Sequence, residues 1–259
     1  MNLNIIRHTK FFTDVEFQDI VDSVKFYAPL INEKWNLGGV TVSAGLTDTT
    51  SWNIYLTDDK RNNSALGFHT IENGLPCAYI SPSMNRISAL FTSRRSANIY
   101  GQVIQHPALV YNHPEIKIGS KVFRKAYTTV IRPAKPTEIK PGFISVVTHE
   151  VAEMMVDPFI DRWTPMIKTP EVPNGGELLI EVGDHVNSSH FTQLVNNKVA
   201  VMADATIPSF YDPNGVKPLS LNSSPTAPLT FPHGTYAYIK DAITNARIMQ
   251  FAQAGDTRK

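Results

Sequence analysis

A chain of 259 residues with 42% hydrophobic, 18% charged and 10% aromatic residues has a globular composition, which excludes a disordered chain or a fibre and fits one large domain or two small ones. The formal charge of +1 hides a split: residues 82–140 carry ten Lys or Arg (Arg86, Arg94, Arg95, Lys117, Lys121, Arg124, Lys125, Arg132, Lys135, Lys140) against Glu115 and Glu138, a balance of +8, leaving −7 on the remainder. A single cysteine, Cys77, can form no internal disulfide, so the fold needs no oxidising compartment.

The opening MNLNIIRHTKFF lacks a charged region followed by an apolar one, and no window approaches the roughly 18 apolar residues of a span. Neither an export signal nor a membrane span is expected. Residues 14–35 place Val15, Phe17, Ile20, Val21, Val24, Tyr27 and Ala28 mostly three and four apart, which predicts an amphipathic helix capped by Asp14 and broken or kinked at Pro29. Runs rich in β-branched and aromatic residues at 40–44, 52–57 and 77–80 predict strands of one sheet. The basic segment 82–140 mixes candidate strands (88–92, 99–104 and 121–131) with Pro107, Pro114, Pro133 and Pro136, the pattern of an inserted β-rich lobe or long arm.

Residues 143–156, FISVVTHEVAEMMV, predict a helix that stops at Asp157-Pro158, because the residue before proline avoids the helical region. Beyond Gly175-Gly176 a strand is expected at 177–182, then a hairpin of 191–195 and 199–203 around Asn196-Asn197. The last part opens with a loop rich in Pro, Ser and Asn, followed by TYAYIKD and a polar tail.

The helix at 143–156 carries the chemistry. In Thr148-His149-Glu150-Val151-Ala152-Glu153, residues four apart project from one face, so His149 and Glu153 can reach a single ion. Glu150 sits one step round, where it can address a water on that ion. This is the H-E-x-x-H metallopeptidase helix with the second histidine replaced by glutamate, in which metal polarises carbonyl and water while the neighbouring Glu takes a proton. The apolar residues around it set these acids apart from a solvated stripe, and further acids follow at Glu181, Asp184 and Asp204.

The stretch VVTHEVAEMMVDPFIDRW followed by GGELLIEVGDHV resembles the H-E-x-x-E and later E-x-x-D blocks of a metallopeptidase-like family encoded by tailed bacteriophages. WNIYLTDD, ALGFHTIENGLPCAYI, VMADATIPSFYDPNG and PLTFPHGTYAYIKD resemble further family stretches in the same order. A more distant similarity runs to the phosphate-induced proteins of plants. The resemblance implies an α+β, zincin-like fold: a twisted mixed sheet, an N-terminal helix and the H-E-x-x-E helix in a domain of residues 1–81 and 141–259, with 82–140 inserted as a basic β-rich lobe. It implies His149 and Glu153 as metal ligands, Glu150 as general base, and Glu181 or Asp184 as third ligand. The cofactor is a divalent metal; a histidine with two carboxylates is a harder set than the usual zinc site, which leaves Zn, Mn, Ca or an unused site open.

Other residues have plainer readings. Asp157 is read as a turn former, and Asp204 as either a brace of the hairpin or a site residue. His69 is read as a turn histidine that could line the cleft, His185 and His190 as surface residues, and Trp35, Trp52 and Trp163 as core or rim packing. Cys77 lacks the setting of a nucleophile. There is no Gly-rich phosphate loop, C-x-x-C pair or G-x-S-x-G elbow.

Two functions follow: a phage-encoded metal-dependent peptidase acting on a peptide or protein substrate, or a virion structural or assembly protein with an unused site. For the second, the basic segment would dock other virion proteins or copies of the chain itself, ahead of nucleic acid, for which aromatic interleaving is sparse. The host cytoplasm or the virion is the expected location.

Overall fold

The computed structural model describes residues 1–58, 66–82, 95–118, 120–132, 135–166, 174–231, 235–244 and 247–251. The strand expected at 88–92 lies outside them. The chain is a mixed α/β structure that divides into two units, Met1–Gln102 with Pro141–Lys259, and Val103–Lys140.

The first unit is built on a five-stranded sheet of β1 (Asn2–His8), β2 (Thr41–Ala44), β3 (Trp52–Thr57), β4 (Gly67–Glu72) and β5 (Leu75–Ile80), in the order β2-β1-β3-β5-β4. The first four positions in that order are parallel, whereas β4 pairs antiparallel with β5. Asn73 and Gly74, both at positive φ (52° and 79°), make the tight turn between β4 and β5. β1 has no counterpart among the strands expected from sequence. Its residues Leu3, Asn4, Ile5 and Ile6 are all buried, so the alternation that marks a half-exposed strand is absent, as is usual inside a parallel sheet.

Helix α1 (Asp14–Trp35) buries Ile20, Val21, Val24, Tyr27, Ala28 and Ile31. Two details differ from expectation. Thr13, not Asp14, is the N-cap: its hydroxyl accepts the Glu16 amide while the Glu16 carboxylate accepts the Thr13 amide, and Asp14 pairs instead with Arg7 at 2.7 Å. The helix also continues through Pro29 without a break. Pro29 and Lys25 both face solvent, so water can take the Lys25 carbonyl that loses its intrahelical donor.

Residues 99–104 are not one strand. Ile99 and Tyr100 close helix α2 (Arg95–Tyr100), Gly101 at φ 83° redirects the chain, and β6 (Gln102–His106) follows. Helix α3 (Phe143–Val156) ends where Asp157-Pro158 predicts. All of its residues except Val146 and His149 are buried, so it is a core helix, packed against α1, β4 and β5.

A hairpin of β14 (His190–Val195) and β15 (Lys198–Ala203) covers another side of α3, its turn formed by Asn196 and Asn197 at φ 47° and 62°. The Thr148 hydroxyl fastens the two by accepting the Ala203 amide at 3.0 Å. A second sheet, wholly antiparallel, runs β12 (Trp163–Met166), β13 (Gly176–Leu179), β16 (Tyr236–Asp241) and β17 (Arg247–Phe251). The strand expected at 177–182 therefore stops at Leu179, and residues 180–183 lead into a 3-10 turn at Asp184–Val186. With the short α4 (Pro208–Tyr211), the described residues hold four α-helices.

The second unit contains nested strand pairs: β6 with β11 (Lys135–Lys140), β7 (Leu109–His113) with β10 (Tyr127–Arg132), and β8 (Ile116–Ile118) with β9 (Lys121–Arg124). The single strand expected at 121–131 is thus two, with Lys125 and Ala126 between them.

Candidate metal centre

Three pieces of chain meet at the face of α3 that carries His149. The helix supplies His149, Glu150 and Glu153; β4 supplies His69; the turn after β13 supplies Glu181 and Asp184. Nε2 of His149 lies 3.2 Å from Oε1 of Glu153 and 3.2 Å from Oδ1 of Asp184. One ring nitrogen carries at most one hydrogen, so it cannot satisfy both oxygens; a cation between the three atoms can. The backbone amide of Asp184 donates to the same Glu153 oxygen at 3.1 Å, which locks the turn onto the helix.

On the other side of Glu153, Nδ1 of His69 is 3.8 Å from Oε2 of Glu153 and 4.0 Å from Oε2 of Glu150. His69, Glu150 and Glu153 form one buried group that could hold a metal ion, and His149, Glu153 and Asp184 a second. Of the two third-ligand alternatives, Asp184 lies in the group with His149 and Glu153. Glu181 belongs to neither group, though it is buried and its Oε2 has no hydrogen-bond partner.

Two glycines make this closeness possible. A Cβ at Gly67 would meet the Glu150 side chain at 2.7 Å, and one at Gly183 would meet the His149 ring at 2.6 Å. A side chain at either position would push Glu150 or His149 from its place.

Buried acids this close compete for the right to be charged. Burial works against a charged His149, but the Glu153 and Asp184 carboxylates outweigh it and hold its pKa well above the ordinary histidine value. Burial likewise opposes the Glu153 carboxylate, yet His149 beside it holds the pKa below the usual range. Burial and the Glu153 charge push Glu150 well above a normal carboxyl, Asp184 to about 6 and Glu181 to about 11. Glu181 is therefore a neutral acid at pH 7. A divalent cation would reverse this ordering by making several of these carboxylates stable as anions.

The site opens on a cavity of about 300 Å³ lined by Gly67, Ser145, His149, Glu150, His190 and Tyr236, among others. Tyr236 hydrogen-bonds Asp184, and burial, then the charge of Asp184, raises its pKa far above a normal phenol.

Sequence reasoning missed several of these residues. His69 is not in a turn: it stands in mid-strand on β4, 8% exposed, opposite Ala78. His185 is not on the surface. It is 0% exposed, accepts or donates through Nδ1 to the Tyr211 hydroxyl at 2.9 Å, and packs among Phe210, Tyr211 and Phe231. His190 is half-buried on the cavity wall. Asp157 does act as a turn former, accepting the Asp161 and Arg162 amides. Asp204 braces the segment after the hairpin, accepting from Ala205, Ser220, Asn222 and Ser224.

The chain matches no protein-family model, no curated protein and no solved structure. The class it defines rests on its own geometry: a mixed α/β protein with buried His and carboxylate groups able to hold a metal ion.

Proposed function

We propose that the protein is a metal-dependent hydrolase of peptide or amide bonds with a zincin-like fold, related to the phage-encoded H-E-x-x-E family. The observation that carries this reading is the convergence of Glu153 and Asp184 on a single nitrogen of His149, with Glu150 adjacent on the cavity wall. The antiparallel strand β4 ends the sheet order beside α3, as a cleft-lining strand of a zincin-like fold would.

In this reading His149, Glu153 and Asp184 hold a divalent cation, which supplies Lewis-acid polarisation of a carbonyl and of water. Glu150 accepts a proton from the attacking water and returns it to the leaving nitrogen as the C–N bond breaks. Burial and the neighbouring Glu153 charge raise its pKa above that of an ordinary carboxyl, which favours its holding the proton until the leaving nitrogen takes it. Tyr236 orients Asp184 and places a donor at the cavity. Among the described residues β4 is the edge strand of its sheet, and with Gly67 in the cavity wall it could offer backbone groups to an extended substrate, which favours a peptide. The ligand set, one histidine with two carboxylates, admits Zn, and its oxygen-rich character suits Mn or Ca as well.

A second reading is a virion structural or assembly protein that keeps this fold with its site unused. It is favoured by the second unit, where Val110, Tyr111, Ile116, Val122, Tyr127 and Val130 are exposed beside Lys117, Lys121 and Lys125. Such a surface suits docking to an acidic neighbour, another virion protein or a second copy, in the particle rather than the host cytoplasm.

Elemental analysis of the purified protein, with peptide hydrolysis by Glu150→Gln and His149→Ala variants, tests the choice. The hydrolase reading expects stoichiometric metal in the wild type and in Glu150→Gln, loss of roughly 10²- to 10⁴-fold in rate in Glu150→Gln, and loss of metal in His149→Ala. A metal-free, inactive wild type that co-purifies with virions at many copies would overturn it in favour of the second.

A further inference from the structure

We infer that this centre holds two cations rather than one, with the Glu153 carboxylate bridging them. The inference rests on the metal-site reading above and extends it to residues that reading leaves idle.

Glu153 presents its two oxygens to different groups. Oε1 faces His149 at 3.2 Å, while Oε2 faces His69 at 3.8 Å, and each group completes itself with a further carboxylate, Asp184 or Glu150. Within each group the candidate ligand atoms lie within 4.8 Å of one another. Carboxylates used on both oxygens in this way are what two-metal hydrolytic sites need, where the ions stand about 3.5–4 Å apart.

The His69 side is the new element. Distances of 3.8 and 4.0 Å from Nδ1 to the Glu153 and Glu150 oxygens are too long for hydrogen bonds, yet they match the spacing of ligands around an ion with bonds of about 2.1–2.5 Å. One of the facing atoms, Oε2 of Glu150, is buried without a hydrogen-bond partner, in a residue only 5% exposed. The backbones that carry the two residues are held in place, His69 by the β4–β5 ladder and Glu150 by α3.

The second cation has a functional consequence. Its ligand Glu150 is the same carboxylate that serves as proton acceptor, so the doubly loaded site has its base engaged. One bound cation activates and a second restrains; activity should rise and then fall as metal is added.

Titration of the metal-stripped full chain with Mn²⁺, followed by calorimetry and by electron paramagnetic resonance, tests this. Two equivalents and an exchange-coupled Mn–Mn spectrum are expected for the wild type. One equivalent and an uncoupled spectrum are expected for His69→Ala, and for His69→Asn as a variant with less risk to folding. Hydrolysis should decline beyond the first equivalent in the wild type only. A single equivalent in the wild type overturns the second site while leaving the first intact, and no binding at all removes both. Two coupled ions persisting in the folded His69 variants would overturn the assignment of His69.

Discussion

Gly183 lies against the ring of His149 so tightly that a methyl group there would stand 2.6 Å from Nδ1. Gly183 has an ordinary backbone conformation (φ −82°, ψ −41°), so what the position requires is space and not glycine's freedom. Gly183→Ala should therefore push the His149 ring or the Asp184 turn out of register and weaken metal binding at least about 10-fold, with far-UV circular dichroism unchanged. Gly45→Ala, where the nearest atom to the added Cβ is Asn4 Oδ1 at 4.0 Å, is the control and should bind metal normally.

Asp204 is 1% exposed and accepts two amides on one oxygen and two serine hydroxyls on the other. Asp204→Ala strips all four donors of their partner at once. It should destabilise the fold by about 3 kcal/mol or more in urea unfolding, and Asp204→Asn by less, since one acceptor oxygen remains.

His185 is fully buried, and burial pushes its pKa down to about 3. The unfolded chain binds a proton there near pH 6.5, which the folded chain refuses until about pH 3, so stability from this residue is complete above pH 6.5 and drains away as pH falls toward 3. The slope approaches about 1.4 kcal/mol per pH unit in that window. In His185→Gln the unfolding free energy should depend less steeply on pH between 6.5 and 4, measured against the wild type in the same buffers.

Adjacent turn residues should respond oppositely to glycine. Asn197 sits at φ 62° and no described contact uses its side chain, so Asn197→Gly should raise the melting temperature, by up to about 1 kcal/mol in stability terms. Asn196 sits at φ 47° but donates to Asp19 at 2.7 Å and Asp22 at 3.0 Å, tying the hairpin to α1. Asn196→Gly should lower the melting temperature.

What the sequence discloses here is local. Helix α3 could be read to its last residue because Asp157-Pro158 ends it chemically, and the β14–β15 hairpin because Asn-Asn suits two positive-φ positions. Burial decided by distant chain was invisible. β1 hides because continuous burial erases its alternation, and His69 because its partners are some eighty residues away on another element. The two histidines near the second acidic block look alike in sequence, yet His185 is sealed among aromatic rings and His190 lines a cavity. Between Glu181 and Asp184 the choice turned on where a strand stops. β13 ends at Leu179, and the turn that follows brings Asp184, three residues beyond Glu181, to His149.

Cys77 is buried and is the only cysteine, so this chain can form no covalent staple within itself. An ion held jointly by Glu153 and Asp184 would play that part, closing a loop across 31 residues between α3 and the turn beyond β13. Such a closure is reversible and set by concentration: at a hundred times the dissociation constant it adds about 2.7 kcal/mol to stability, and a chelator takes it away. The melting temperature would then report free metal, making the fold as well as the chemistry answer to the ion supply.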